Sequence, residues 1–341
     1  MGKPAQLKAF KLTRIAETGG RLSGFDPYVA SVNDAGMVAF QAGLSAGGSG
    51  AFFGRGGPVS EAVGPGGDLS GVYSHPDINL VGDLCFYGTL KSGAQGVFFS
   101  SDGRTTPFAV TGGEFRSIGP LGPTMNDRGA IAFRGTLSSG ADGVFTAAGG
   151  SVAKIADTTG AIGAFHGLPV INAGGTVLFR ADCKEGPQGI YASRGGSLTT
   201  IVETGDQFSE LGHFLTVNDA GTVAFAATLR SGGSGVFAAK RRRVTPLVAD
   251  AEGLFESFRG ALINRAGLVA FLATPKGGRL GVVGGPDPAA CRIFCLGDPL
   301  LGSTVADFAL NPVSVNEAAQ LAVRVALADG RQAILRVDPV T

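Results

Sequence analysis

The sequence predicts an all-β protein: a seven-bladed β-propeller of four-stranded antiparallel blades, in one domain over residues 1–341. Three observations lead to this fold class. Glycine accounts for 57 of 341 residues and tryptophan is absent. A motif centred on one asparagine recurs through the whole chain. Short alternating apolar segments lie between turn residues, without a long helical pattern.

The repeat is counted from the asparagine that opens each Asn-x-x-Gly turn. The spacings are 46, 47, 46, 46, 46 and 52 residues, which is the range of propellers and solenoids. Seven units at this spacing leave no room for a second domain. We number the units 1 to 7 in chain order. Their asparagines are Asn33, Asn79, Asn126, Asn172, Asn218, Asn264 and Asn316.

Each unit contains the segments of a four-stranded sheet in the same order. In unit 5, "LTV" precedes the turn "NDAG", and "TVAFAA" follows it. The loop "LRSGGSG" then leads to "GVF" and, after a second turn, to a fourth strand. Strands this short, separated by Gly-rich turns, are typical of a propeller blade.

The two ends of the chain predict how the ring closes. Unit 7 has its third strand at 332–337, and the sequence then stops before a fourth. The N-terminal segment "KLTRIAETGG" is similar to "SLTTIVETGD", the fourth strand of unit 4. We therefore expect the N-terminal strand to complete the last blade, which hides the edge strands. A linear β-solenoid is the alternative.

The motif Asn-x-x-Gly-x-x-Ala-Phe occurs in units 1, 3, 5 and 6, for instance as Asn218, Gly221, Ala224 and Phe225. It resembles bacterial tandem-repeat proteins with an NxxGxxAF-type repeat, a family of expected β-propellers. The resemblance covers nearly the whole chain. It implies a fold and no catalytic residues.

The repeated motif itself has a structural explanation. Asparagine bonds its own backbone at a turn, and glycine adopts the left-handed conformation there. The phenylalanine is expected to pack between neighbouring blades. We therefore seek function in residues that the units do not share. We expect it on the face with the second-to-third and fourth-to-first strand connections, opposite the Asn turns.

All three histidines precede an Asn turn by four to six residues, near the expected mouth of the central channel. Histidine suits proton transfer near neutral pH. The candidate catalytic residues are His166, His213 and Arg259. The candidate ligand-binding residues are Tyr28, Tyr73, His75 and Phe214. The alternative is that these are ordinary loop residues, since offsets of four, five and six need not point the same way.

The sequence favours a ligand-binding or protein-interaction propeller that uses this mouth. The alternative is an enzyme, a lyase or hydrolase acting on a small polar or sugar-like substrate. There His166 or His213 would be the general base and Arg259 would stabilise an anion. A scaffold that binds partners along its rim is a third possibility. Propellers host all three roles, so the fold does not decide among them.

Several other features narrow the expected partners. The net charge of +1 favours neither nucleic acid nor a membrane as a partner. No Walker loop, HExxH, CxxC or GxSxG motif occurs, so we expect no cofactor and no metal site. The N-terminus lacks a signal peptide and the four cysteines are scattered, which favours the cytoplasm. A basic run, "KRRR" at 240–243, is expected at an exposed turn near the rim.

Overall fold

The computed structural model describes residues 6–25, 27–249 and 253–340, and this part of the chain forms strands and turns without a helix. The predicted all-β class is confirmed. Accordingly, no helix in the described residues has the length and apolarity needed to cross a membrane. All four cysteines are free thiols.

Units 1 to 4 each form one antiparallel sheet. In units 1 to 3 the inner strand is split into two short pieces, whereas in unit 4 it is continuous with a bulge. The strands of these units are β2 (Leu22–Gly24), β3 (Ser31–Val32), β4 (Val38–Leu44), β5 (Ser49–Gly54), β6 (Ser60–Val63), β7 (Leu69–Val72), β8 (Asp77–Ile78), β9 (Leu84–Leu90), β10 (Gln95–Ser101), β11 (Arg104–Val110), β12 (Phe115–Ile118), β13 (Thr124–Met125), β14 (Ile131–Leu137), β15 (Asp142–Ala148), β16 (Ser151–Asp157), β17 (Ile162–Ile171), β18 (Val177–Cys183), β19 (Gln188–Arg194) and β20 (Ser197–Glu203).

Units 5 and 6 are joined in an eight-stranded sheet, because one parallel bridge links Phe214 of unit 5 to Gly260 of unit 6. Unit 6 has short outer strands with a Pro-containing segment between them. Gly281 and Cys295 of this unit pair at the same distances from its asparagine as Gly235 and Ala249 of unit 5, so the extra residues before unit 7 follow Cys295. The strands are β21 (Phe208–Val217), β22 (Val223–Leu229), β23 (Ser234–Lys240), β24 (Arg243–Ala249), β25 (Phe255–Ile263), β26 (Val269–Pro275), β27 (Gly281–Val283) and β28 (Arg292–Cys295).

Unit 7 combines strands from both ends of the chain. It contains β29 (Pro299–Leu300), β30 (Ser303–Ala309), β31 (Leu321–Leu327), β32 (Gln332–Pro339) and β1 (Phe10–Glu17). Strand β1 pairs antiparallel with β32, from Phe10 opposite Pro339 to Glu17 opposite Ala333. The N-terminal strand therefore supplies the fourth strand of this sheet, next to the C-terminal one.

The apolar core lies between successive sheets. The phenylalanine of each Ala-Phe pair is fully buried, as Phe40, Phe133 and Phe225 show. Phe40 belongs to one apolar cluster with Ala322 and Ile334 of unit 7. Burying a side chain of this size stabilises the fold by roughly 1.5–3 kcal/mol. The predicted packing of this residue between units is the observed one.

The Asn turns are held by the asparagine side chain. The Oδ1 atom of Asn33 accepts hydrogen bonds from the backbone N–H groups of Ala35, at 3.1 Å, and Met37, at 2.9 Å. Gly36 has a φ of 73°. This left-handed conformation explains the glycine. The turn chemistry expected from the sequence is therefore present.

The same asparagines also connect the units to one another. In six of the seven units, Nδ2 donates to the backbone carbonyl of the next asparagine in the series, at 2.8–3.2 Å. The last of these bonds runs from Asn316 back to Asn33. In unit 2, Nδ2 of Asn79 instead donates to Asp83, within its own turn.

A second set of links uses the residue two positions before the asparagine. In four units a hydroxyl at this position donates to a backbone carbonyl of the next unit, at 2.7–3.4 Å. These residues are Ser31, Thr124, Thr216 and Ser314. Two polar rows therefore fasten the inner strands of neighbouring units together on the side of the Asn turns.

Candidate functional site

A cavity of about 150 Å³ lies where the Asn turns meet, and carboxylates surround it. Each of four carboxylates accepts, at 2.7–2.8 Å, the backbone N–H that follows the asparagine of the preceding unit, with unit 7 preceding unit 1. These carboxylates belong to Asp34, Asp127, Asp219 and Glu317. The polar groups of this cavity already hold the units together, so the site is sought on the opposite face.

His75 and Asp77 form a buried link between units 2 and 3. The His75 ring donates to the carbonyl of Pro123, and Asp77 accepts the N–H of Met125 at 2.7 Å. Burial lowers the pKa of His75 to about 4 and raises the pKa of Asp77 to about 7. A single hydroxyl makes the corresponding links in units 3 and 5. This link accounts for one ring nitrogen of His75, whereas its buried Nε2 has no hydrogen-bond partner among the described residues; ligand contact by His75 stays a prediction.

His166 lies within strand β17 and not in a loop. Its Nε2 atom is 2.8 Å from Oδ2 of Asp182 on the neighbouring strand, and the two side chains are 30% and 34% exposed. No donor among the described residues reaches the buried Oδ1 of Asp182. A half-exposed histidine oriented by a carboxylate is the arrangement of a general base. The side chain of His213 lies outside the described part of the structure.

The two predicted tyrosines lie in units 1 and 2, away from unit 4 in sequence and sheet. Both are half-buried, and burial raises the pKa of Tyr28 and of Tyr73. Tyr28 also contributes to the shift of Tyr73, so the two phenols are close. The ring of Tyr73 packs against Tyr87 at 5.9 Å, and its hydroxyl is 3.5 Å from the carbonyl of Ile118.

The position eight residues after each asparagine distinguishes the units most clearly. The side chain there reaches the following unit in several cases: Arg134, for example, donates to the carbonyl of Gly167 at 3.1 Å. Sequence analysis missed this position, although aligning the seven units on their asparagines would have shown three arginines. The seven residues are Gln41, Tyr87, Arg134, Arg180, Ala226, Leu272 and Arg324.

Unit 5 has a methyl group where most other units have a long side chain. Ala226 occupies the eighth position, and Gly212 lies against it: a Cβ on Gly212 would come within 2.9 Å of the Ala226 carbonyl oxygen. In unit 4 the same two positions hold Arg180 and His166, which are opposite each other in the sheet. The two small residues leave a cleft of about 420 Å³ between units 5 and 6.

The cleft combines opposite charges with an aromatic wall. Arg259, Phe258 and Glu210 all line it. Arg259 is exposed, and no ion pair or hydrogen bond joins its guanidinium to another described residue. Phe214, the predicted aromatic wall, packs beside the cleft, since a Cβ on Gly260 would come within 2.4 Å of its ring. A cavity of this volume is large enough for a small molecule.

Charged residues connect the cleft to the histidine of unit 4. Burial lowers the pKa of Arg180, whereas the nearby carboxylates of Asp182 and Glu210 act in the opposite direction. Glu210, which lines the cleft, and Asp182, which bonds His166, are therefore both close enough to Arg180 to interact with its charge. In the described residues, no group of three His, Cys, Asp or Glu side chains is arranged to hold a metal ion.

Solved structures with similar folds are β-propeller-type proteins. Oligogalacturonate lyase from Vibrio parahaemolyticus has a TM-score of 0.59 and 11% identity, over 99% of this chain and 98% of that one. An oligogalacturonate lyase in complex with manganese has a TM-score of 0.58 and 12% identity, over 100% and 99% of the two chains. At this identity the likeness shows the fold alone.

A puromycin-hydrolyzing peptidase from Mycobacterium tuberculosis also matches all of this chain, with a TM-score of 0.56 and 12% identity, over 55% of its own length. The three likenesses together support an all-β, propeller-like fold. No curated protein matches the chain in sequence. A family of unknown function, DUF7453, matches residues 32–285, which is most of the chain. The chain therefore belongs to this family.

Proposed function

We propose that the seven units form a closed seven-bladed propeller and that it binds a small anionic ligand in the cleft between units 5 and 6. Two contacts support the closure: the pairing of β1 with β32, and the hydrogen bond from Asn316 to Asn33. A closed ring gives a rigid frame, and rigid frames carry binding sites on the parts that vary.

The observation that carries the binding proposal is the replacement of long side chains by Ala226 and Gly212. The space that they leave is about 420 Å³, and Arg259 faces it without an ion-pair partner among the described residues. A guanidinium in such a place suits a carboxylate or phosphate of the ligand. Glu210 accepts hydrogen bonds from ligand hydroxyls, and the ring of Phe258 covers an apolar face.

An acidic sugar has these three features: a carboxylate, several hydroxyls and an apolar face. The name of oligogalacturonate lyase, which shares the fold, denotes a chain of such sugars. We therefore choose galacturonate as the probe and galactose as its neutral counterpart. A binding preference for the acid that Arg259→Gln removes would identify Arg259 as the group that recognises charge.

The test is calorimetric titration of the full chain with both sugars. Arg259→Gln should weaken galacturonate binding by about tenfold or more, because a charge-assisted hydrogen bond contributes roughly 1.5–3 kcal/mol. Ala226→Gln should abolish binding, since it restores the type of side chain that unit 1 has at this position. Arg194→Ser, at the end of strand β19 in unit 4, is the control and should bind normally.

The binding proposal fails if the wild-type chain shows no preference for galacturonate over galactose. It also fails if Ala226→Gln binds the acid as tightly as the wild type does, because the ligand then occupies another place. Both variants must keep the unfolding midpoint of the wild type for the comparison to count.

The pairing of His166 with Asp182 favours a second candidate, an enzyme of the lyase or hydrolase type. In this reading His166 removes or delivers a proton, Asp182 orients its ring, and Arg259 stabilises the anion. Incubation with digalacturonate tests it, with separation of the products by chromatography. Turnover that is lost in His166→Asn but kept in Arg194→Ser supports the enzyme. Binding without turnover supports the ligand-binding protein.

A further inference from the structure

The outer hairpin of unit 5 ends in four consecutive cations. Lys240 and Arg243 are the last paired residues of strands β23 and β24, and Arg241 and Arg242 form the turn between them. All four side chains are exposed. Within the described residues, no carboxylate forms an ion pair with any of the four.

The turn has a backbone conformation that disfavours arginine. Arg241 and Arg242 have φ values of 50° and 66°. The corresponding turns of units 3 and 4 are Gly149–Gly150 and Gly195–Gly196, with φ values of 57° to 81°. Glycine adopts this conformation without steric cost, whereas an L-residue with a Cβ does not. The backbone conformation of this turn therefore favours glycine at both positions, which in this chain are Arg241 and Arg242.

The pair that closes the hairpin is also unfavourable. Lys240 lies directly opposite Arg243 in the antiparallel register, with their Cβ atoms about 5 Å apart. Like charges at this position repel each other. The closing pairs of the sibling hairpins avoid this repulsion, since Ser151 lies opposite Ala148 in unit 3. The strained backbone of the two arginines and the repulsion between Lys240 and Arg243 thus destabilise the same turn. Local strain of this kind is typical of a functional segment.

We propose that this turn, residues 240–243, is a docking site for clustered phosphate groups. Guanidinium groups donate two parallel hydrogen bonds to a phosphate, and a bound polyanion removes the repulsion between Lys240 and Arg243. Four cations at one tip match a ligand with several negative charges in a small volume. Phosphate chains and phosphorylated headgroups have this charge density. The glycine turns of units 3 and 4 provide no continuous basic track for nucleic acid.

The experiment uses the full chain and tripolyphosphate as the probe, in calorimetric titration at low ionic strength. The double variant Arg241→Gly/Arg242→Gly carries the turn sequence of units 3 and 4. It should bind at least about tenfold more weakly, because charge-assisted hydrogen bonds are lost. Its unfolding midpoint should equal or exceed that of the wild type, because the steric cost is removed. Arg194→Ser is the matched control and should bind like the wild type.

Two further arms define the ligand chemistry. Citrate, a tricarboxylate, should bind more weakly than tripolyphosphate, and equal binding overturns the phosphate assignment. Co-sedimentation with phosphatidylcholine vesicles that contain phosphatidylinositol bisphosphate, against phosphatidylcholine vesicles alone, distinguishes a lipid headgroup from a soluble phosphate as the source. Binding in either phosphate arm that the double variant loses supports the proposal. Absence of binding in both arms, or equal binding by the double variant, overturns it.

Discussion

The two faces of the molecule differ in how regularly their contacts repeat from unit to unit. On the face of the Asn turns, six asparagines make the same hydrogen bond to the next unit, and four carboxylates repeat one backbone contact. On the other face, equivalent positions hold different residues: His166 and Arg180 fill unit 4, whereas Gly212 and Ala226 leave unit 5 open.

This difference assigns stability to the face of the Asn turns and ligand binding to the opposite face. Repeated bonds between units stabilise the frame, so a substitution there should lower the free energy of unfolding. The cleft exists because side chains are missing, so filling it should change binding while the frame stays stable. The following changes test this division, from the largest expected effect on stability to the smallest.

The largest effect is expected in the pH dependence of the free energy of unfolding, through the buried pair His75 and Asp77. Stability from His75 is complete above pH 6.5 and is lost as the pH falls to about 4, because the folded state disfavours its charged form. Asp77 acts in the opposite direction: its contribution is greatest near pH 4 and is lost as the pH rises to about 7. In the wild type the two effects offset each other between pH 4 and 6.5.

Asp77→Thr should expose the contribution of His75. Threonine at the same position in units 3 and 5 accepts the equivalent backbone N–H, so the link to Met125 is kept. The free energy of unfolding of this variant should fall on acidification by up to about 1.4 kcal/mol per pH unit. Urea denaturation at several pH values measures it. Parallel pH profiles for variant and wild type would contradict the opposed titrations.

The next largest loss of stability is expected for a substitution of Asn218. Its Nδ2 donates to the carbonyl of Asn264 at 3.0 Å, and its Oδ1 accepts the N–H of Thr222 at 2.9 Å. Asn218→Ala removes both bonds and leaves a buried carbonyl without this donor. We expect a loss of about 2 kcal/mol in the free energy of unfolding, measured in urea. A loss below half of that would show that the hydrogen bonds between units contribute little.

A smaller effect is expected at Asn79, which makes no such bond to the next unit. Its Nδ2 donates to Asp83 in its own turn, and the link to unit 3 comes from the N–H of Leu80 to Asp127. Asn79→Ala should cost about 1 kcal/mol, because only the turn is weakened. Equal losses at Asn79 and Asn218 would argue that the turn, and not the contact between units, determines stability.

The smallest effect on stability should come from Ala226→Gln. The new side chain enters an open cleft, so no packed atom has to move, and we expect a change within about 0.5 kcal/mol. The same variant should lose the ligand. A large loss of stability would mean that the small residues of unit 5 are required for packing and are not there to form a site.

The repeat made the frame predictable from the sequence. The strand order, the left-handed Gly36 and the buried Phe40 follow from spacing and turn chemistry, which are local. The hydrogen bond that six of the asparagines donate to the next unit was not predicted, because it joins residues at least 46 positions apart. A side chain's partner in another unit depends on how the sheets are placed side by side, and no local pattern states that.

The site was predictable only in part for the same reason. His166 and Arg259 were chosen for their chemistry, and the structure places them in different units, each with its own carboxylate nearby. Asp182 was not singled out as the partner of His166, and the importance of Ala226 was not recognised. The significance of this alanine becomes clear only when the equivalent positions of the other six units are compared. Most of those positions hold a side chain that is long enough to reach the neighbouring unit.

The pairing of β1 with β32 has a consequence for synthesis in the cell. Thr13 and Asp338, which are hydrogen-bonded across these strands, are 325 residues apart. At roughly 5–20 residues per second, the first strand waits on the order of tens of seconds for its partner. A ribosome therefore carries an incomplete sheet throughout that interval. During that interval β1 presents an unpaired edge, and chaperones have a defined strand to protect.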